Sequence, residues 1–297
     1  MQKKSLLATG AIGLVGSRFL ELYHDAYEVH NIDVLSGVDI TDRAQVAAFM
    51  DAHPAAAMLH LAAFTDTARA QAEAGDKNGL CYRVNVVGTQ NIASLCEERG
   101  IYLIHISTDF VFDGTKESPY VETDVPSPLD WYGTTKAEAE RVVRDSGARA
   151  AIVRLSYPYR AVNEKKPDII RKLRDGLESG SLSPQFDDTL ITPTFIDDIA
   201  RGFARLIEQK AEGTFHFVGS TALSPYTLAQ KVAALYGFDP KVVQPGSLTR
   251  YLSEHDRPFA RYGALSNTAT CATLDLAFAD IDSGLATLRE QQGGEST

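Results

Sequence analysis

At 297 residues, with 44% hydrophobic and 23% charged side chains, the chain has the length and composition for a well-buried soluble core. A formal charge of -10 argues against a nucleic-acid backbone as main partner, because that binding relies on clustered Lys and Arg. Three widely spaced cysteines (Cys81, Cys96, Cys271) show neither a disulfide framework nor a metal-ligand spacing and point to a reducing cytoplasm; no stretch approaches the roughly 20 apolar residues of a membrane span.

Ser5 to Thr9 reads as a short buried strand, followed at once by Gly10-Ala11-Ile12-Gly13-Leu14-Val15-Gly16 and a helical pattern from Ser17 to about His24. Strand, glycine turn, helix is the context of a dinucleotide fingerprint. The first glycine allows the tight turn, the second lets backbone approach a pyrophosphate, and the third lets helix pack on strand. The anion would sit at the helix N-terminus, ringed by Ile12, Leu14 and Val15, where free N–H groups and the dipole favour it. Tyr27 to Asp33 is the next strand. The Asp33 carboxylate could accept hydrogen bonds from a ribose and would repel a 2′-phosphate, which leans toward NAD over NADP unless Arg18 or Arg43 serves a phosphate. Asp39-Ile40-Thr41-Asp42 leads into a helix through Met50, with Thr41 as its expected N-cap; Asp39 either reaches an adenine edge or is a plain loop residue. A third strand, Ala55 to Ala63, ends in Leu61-Ala62-Ala63-Phe64-Thr65, whose small residues would let a cofactor lie close to backbone.

Tyr82 to Glu98 has the three-to-four spacing of a helix, with Asn85 polar among apolar neighbours. Strand Ile101 to Ile106 delivers Ser107 and Thr108, and His105 within it reads as an interior residue rather than a ligand. After a proline-rich loop, Trp131-Tyr132-Gly133-Thr134-Thr135-Lys136 opens a helix ending near Gly147. Tyr132 and Lys136 are four apart and share a helix face. A cation beside a phenol lowers its pKa, which would make Tyr132 a general acid toward a carbonyl, with Lys136 also free to hold ribose hydroxyls. Thr108 could donate to the same carbonyl oxygen. Thr108, Tyr132 and Lys136 are therefore expected to meet at the nicotinamide of a bound dinucleotide.

Ala150 to Leu155 is a further buried strand. Beyond it the pattern predicts helices over Pro167–Glu178, Ile196–Glu208 and Pro225–Tyr236, the last capped by Ser224, with a short strand at Thr214–Val218. The fold class is thus α/β: a Rossmann-like, doubly wound parallel sheet over residues 1–156, then a smaller substrate lobe over 157–297 that partly returns to the first. Arg154, Arg250, Arg257 and Arg261 are candidates for a diphosphate, Arg257 foremost.

Gly10-x-x-Gly13-x-x-Gly16, Ser107-Thr108-Asp109-Phe110-Val111-Phe112-Asp113-Gly114 and Tyr132-x-x-x-Lys136 together resemble the extended short-chain dehydrogenases/reductases, most of all the dTDP-4-dehydrorhamnose reductase group. The likeness runs on through Arg154-Leu155-Ser156-Tyr157, Thr192-Pro193-Thr194-Phe195 and Arg257-Pro258. It implies hydride transfer from NAD or NADP to the C4 keto group of a nucleotide-linked deoxysugar. Thr108, Tyr132 and Lys136 would be catalytic, Ser107 would touch cofactor, and Asp109, Phe110, Tyr157 and Arg257 would touch substrate. No metal is implied, and a homodimer is compatible. The chain departs from the pattern at Phe110 (usually Tyr), Tyr157 (usually Trp), Arg160 (commonly Gly), and Asp188-Thr189-Leu190-Ile191 in place of Asp-Gln-x-Gly. Most of these fall in the substrate half. Two other readings remain open: an epimerase or dehydratase of the same fold, although Phe110 stands where a dehydratase has a second carboxylate, and a non-catalytic dinucleotide-binding subunit similar to the regulatory subunit of methionine adenosyltransferase.

Overall fold

Strands that are apolar on both faces belong in the middle of a parallel sheet covered by helices on each side, and the first half of this chain supplies them in alternation with helices. A computed structural model describes residues 3–162, 167–255 and 258–294. In chain order, β1 (Lys4–Thr9), α1 (Leu14–Tyr23), β2 (Tyr27–Ile32), α2 (Arg43–Ala52), β3 (Ala57–His60) and α3 (Thr67–Ala72) come first. Next, α4 (Leu80–Tyr82) continues through a π-helical turn (Arg83–Gly88) into α5 (Thr89–Glu98). Then follow β4 (Tyr102–Thr108), α6 (Trp131–Asp145) and β5 (Ala150–Leu155). The second half adds the two-residue strand β6 (Pro158–Tyr159), α7 (Ile169–Glu178), two-residue strands β7 (Gln185–Phe186) and β8 (Thr194–Phe195), then α8 (Ile196–Gln209), β9 (Gly213–Phe217) and α9 (Pro225–Leu235). It ends with β10 (Pro245–Gly246), α10 (Leu248–Glu254), α11 (Thr268–Leu274) and α12 (Ile281–Gly294).

The central sheet runs β2-β1-β3-β4-β5-β9, every pair parallel. Chain order reverses between β1 and β3, so the crevice at their carboxyl ends is the topological switch point where such sheets take ligands. Alternation splits the core in two: Leu6 and Ile104 pack with Phe19, Ile199 and Phe203 of α1 and α8, while Leu7 and Leu103 pack with Val46, Ile92, Leu95 and Val143 of α2, α5 and α6. Past Leu155 the chain builds its own apolar cluster from Ile170, Leu173, Leu228, Val232 and Leu288, yet it also contributes β9 and α8 to the sheet layer. Arg160 ties this half to α1: its guanidinium donates to Ser17 Oγ and to the Glu21 carboxylate at 2.6 Å. One cap differs from expectation. Asp42, not Thr41, caps α2, accepting from the N–H groups of Ala44 and Gln45, because a carboxylate at that position reaches both.

Candidate active site

The glycine turn comes first. Gly10 has φ +63 and packs so tightly on the end of β3 that a Cβ there would lie 2.8 Å from Ala62 N. Gly13 caps α1 with no side-chain hydrogen bond, which leaves the first-turn N–H groups at Leu14 and Val15 available to an anion. Gly16 closes on the backbone of Ala11 within the turn rather than on a strand. Beside it, Thr9 Oγ1 accepts from Ala62 N and shares a 2.7 Å hydrogen bond with His60 Nδ1, so the β1 and β3 ends are pinned together. Leu61 and Ala63 follow on the same loop, and Thr65 at its far end is exposed. A bare helix start facing a close backbone cradle fits a dinucleotide pyrophosphate.

At the end of β2, Asp33 caps a single 3-10 turn and accepts from Leu35 N at 2.9 Å. Asp39 is exposed and accepts from Thr41 N, while Ile40 packs its side chain where Gly88 leaves room. Asn85 brackets the loop after β3 to α6: Oδ1 accepts from Phe64 N, and Nδ2 donates to Thr135 Oγ1 at 2.9 Å.

Ser107 and Thr108 end β4, and α6 starts opposite them. Asp130 caps α6 by accepting from Gly133 N at 2.7 Å. Gly133 is the residue that lets the two meet: a Cβ there would fall 2.1 Å from the Phe110 carbonyl oxygen. The helix start therefore lies against the turn that follows Thr108. Tyr132 is buried in an apolar pocket with Phe110 and Cys81, its ring edge-on to Phe110 at 5.5 Å, and the Thr108 hydroxyl is near enough to act on its phenol. One turn on, buried Lys136 donates to the Ile106 carbonyl and lies 3.5 Å from His105 Nε2. The three residues singled out by motif are thus side by side.

Their electrostatics correct one expectation. Burial pushes the Tyr132 phenol well above its ordinary value, and the Asp109 carboxylate adds to this; the nearby Thr108 hydroxyl only partly opposes them. Lys136 is not among the main influences on the phenol, and its ammonium donates to the Ile106 carbonyl. Burial lowers Lys136 itself to about 8, against the pull of Glu140. The Tyr132 phenol is thus held protonated here rather than half-ionised. His105 and His60 are both held neutral by burial, with Lys136 adding to the effect, consistent with interior roles.

The cavity beside Tyr132 is lined by Asp109, Phe110, Asp130, Tyr157, Leu190 and Phe259, among others. Tyr157 takes φ +42, a left-handed conformation uncommon outside glycine, and so turns the chain off β5 into this wall. Asp109, expected to meet substrate, lines this cavity, and its two oxygens accept from Thr108 Oγ1 and Ser156 Oγ, each at 2.8 Å. Arg154 is not a diphosphate ligand: it is 1% exposed and forks onto Glu140 at 2.9 and 2.8 Å. Arg250 pairs with Glu254, and Arg261 with Asp188. Arg257 lies outside the described residues. Glu140, Ser156 and Gly133 were not picked out from sequence. Only Gly133 carried a signal, as a glycine inside the first turn of a helix, where propensity disfavours it.

Comparison with known proteins gives the site its context. A "dTDP-4-keto-6-deoxy-D-glucose reductase" of Streptomyces niveus is 34% identical over 264 residues, 89% of this chain and 88% of that protein. A dTDP-4-dehydrorhamnose reductase structure from Clostridium acetobutylicum superposes with TM-score 0.86 at 27% identity, over 97% of this chain and 99% of that one. One from Bacillus anthracis, in complex with NADP, superposes with TM-score 0.87 over 98% and 100%; at 24% identity it bears on the fold alone. The family model for the RmlD substrate binding domain matches residues 4–292, so the chain belongs to that family within the extended short-chain dehydrogenases/reductases.

Proposed function

We propose that the protein reduces the C4 ketone of a nucleotide-linked deoxysugar, with Tyr132 as general acid. The observation that carries this reading is the placement of a protonated, buried Tyr132 against Thr108, with Lys136 one turn along, at the carboxyl end of the sheet that bears the glycine turn. The relatives' printed activities support it. A nicotinamide dinucleotide, held by the Gly10–Gly16 turn, Asp33, the Leu61–Ala63 loop, Ser107 and Lys136, would supply the hydride.

The chain's own part is proton supply and enclosure. Tyr132 holds a proton that passes to the ketone oxygen as C4 becomes tetrahedral, so that charge never accumulates there. Lys136, still largely cationic near neutrality, sits one turn from the phenol and can stabilise the phenolate left behind. Phe110, Tyr157, Leu190 and Phe259 give the cavity apolar walls suited to a deoxysugar face. Elimination of water would call for a carboxylate where Phe110 packs on Tyr132. NAD is the preferred dinucleotide in this reading, because Arg18 is taken by Asp197 and Glu21, and Arg43 by Glu98, leaving Asp33 to meet the ribose.

The test is loss of nicotinamide absorbance with NADH or NADPH and a dTDP-4-keto-6-deoxyhexose. Tyr132→Phe should lower kcat by about 10²–10⁴-fold with dinucleotide affinity nearly unchanged. Equal turnover in the variant would remove Tyr132 from the chemistry.

A further inference from the structure

Two fully buried histidines lie side by side in the sheet: His60 of β3 and His105 of β4 are in register, with ring centroids 5.3 Å apart. Their hydrogen bonds differ. Thr89 Oγ1 gives its hydrogen to the Asn85 carbonyl at 2.7 Å, so it accepts from His60 Nε2 at 3.0 Å, and Thr9 Oγ1 then donates to His60 Nδ1 at 2.7 Å. His60 is thus fully used as a brace between β1, β3 and α5. His105 is not. Its Nε2 lies 3.5 Å from Lys136 Nζ, and an ammonium has hydrogens but no lone pair, so Nε2 is the acceptor and Nδ1 carries the ring hydrogen. That Nδ1 is buried with no hydrogen-bond partner among the described residues. An apolar side chain would fill the same space without leaving a donor unpaired. What the imidazole adds is its contact with Lys136, a long one whose electrostatic pull persists in a water-free interior.

Lys136 has three ammonium hydrogens. The Ile106 carbonyl takes one at 2.5 Å and His105 Nε2 faces a second, both from β4, so the third points away from that strand. We propose that His105 is a positioning residue: with the Ile106 carbonyl it holds the Lys136 ammonium by two of its hydrogens and leaves the third for the ribose hydroxyls and the Tyr132 phenolate. The part given to Lys136 rests on the reductase reading above; the hold on its ammonium does not. A hydrogen bond to the charged form favours that form, so loss of the Nε2 acceptor makes Lys136 easier to deprotonate. The other groups around it are accounted for. Glu140, one turn on along α6, and Cys81 of α4 favour the ammonium, while burial opposes it. Tyr132, one turn back, is held protonated, and His60 is held neutral.

His105→Phe keeps a ring and removes the acceptor, His105→Leu removes it with less bulk, and His105→Gln keeps an acceptor, since its side-chain carbonyl reaches the Nε2 position. With lysine carbon-13-labelled at Cε, the Lys136 resonance is identified by its loss in Lys136→Met and followed against pH, with no substrate or cofactor present. In His105→Phe and His105→Leu, Lys136 should titrate about one pH unit lower than in wild type, and the alkaline limb of kcat/KM for ketone reduction should move down with it. In His105→Gln the titration should return to within about 0.3 unit of wild type. Apolar variants with an altered Tm but an unmoved titration would overturn the proposal, since a purely structural role predicts that outcome. A titration lowered as far in His105→Gln as in His105→Leu would overturn it too, because the acceptor would then be irrelevant. A wild type that reduces no ketone, with the titration moved as expected in the variants, would instead fail the reductase reading and leave the role of His105 standing.

Discussion

Glu140 and Arg154 make the sharpest stability prediction. Glu140 is fully buried on α6 and accepts from Arg154 Nε at 2.9 Å and Nη2 at 2.8 Å, from Ser107 Oγ at 2.6 Å and from Arg144 Nη1 at 3.2 Å. Arg154 is 1% exposed on β5, with its guanidinium also stacked 4.9 Å from the Phe112 ring centroid and 3.2 Å from His216 Nε2. Glu140→Ala leaves that cation in the core with no counter-charge, which costs about 3–5 kcal/mol by the behaviour of broken buried pairs. With a urea slope of about 3 kcal/mol per molar for a chain of this size, the midpoint should fall by at least about 1 M. Arg154→Met added to Glu140→Leu removes both charges and should recover most of the loss. The pH dependence follows from the same pair. Burial works to raise the Glu140 carboxyl, but Arg154, with Ser107 and Arg144, overcomes it and holds the group below the usual carboxylate range. Its stabilisation is then fully present above the unfolded value near 4.5 and is lost as pH falls through the lower folded value. A Glu140→Ala midpoint within about 0.3 M of wild type, or a double variant as weak as the two losses summed, would refute the argument.

Three further outcomes can be checked with single variants. Gly133→Ala must push the start of α6 off the Phe110 carbonyl, costing about 1–3 kcal/mol and displacing Tyr132; a kcat within twofold of wild type would show the backbone gives way without moving the acid. Gly10→Ala meets both an unfavourable φ and Ala62 N, so dinucleotide affinity by fluorescence quenching should drop by more than tenfold, and retained affinity would take the glycine turn out of the binding site. Asp33→Ala should weaken NADH binding more than NADPH binding, and an unchanged ratio would detach Asp33 from the ribose.

Most of the sheet and its helices could be read from the chain because each strand is a short apolar run and each helix has three-to-four spacing, so local pattern and tertiary burial agree. The exceptions are local: α2 begins one residue later because Asp42 caps better than Thr41, and the helix around Asn85 is continuous but runs through a π turn that no spacing announces. The neighbourhood of Thr108, Tyr132 and Lys136, the proposed catalytic trio, was legible through motif, since Ser107-Thr108 and Tyr132-x-x-x-Lys136 sit at predictable ends of elements. What surrounds it was not. The Glu140–Arg154 pair joins α6 to β5, and Ser156 meets Asp109 from 47 positions away. Such pairings are set by packing across the sheet and leave no periodic trace. Arginines were the least readable residues, because sequence cannot tell a guanidinium awaiting phosphate from one already paired, as Arg154, Arg18 and Arg261 all are. The phenol's acidity failed for the same reason: four-residue spacing places Lys136 on the Tyr132 face, but the direction of its ammonium depends on the Ile106 carbonyl across the gap.

In the proposed reaction hydride passes to C4 and the proton comes from Tyr132. The most direct measurement uses NADH deuterated at the nicotinamide C4 on either face, a dTDP-4-keto-6-deoxyhexose, and mass and NMR analysis of the product sugar. Wild type is expected to place one deuterium at sugar C4 from one face only, with Tyr132→Phe forming little product while still binding NADH. Cofactor oxidation without deuterium at C4, or equal labelled product from Tyr132→Phe, would contradict it.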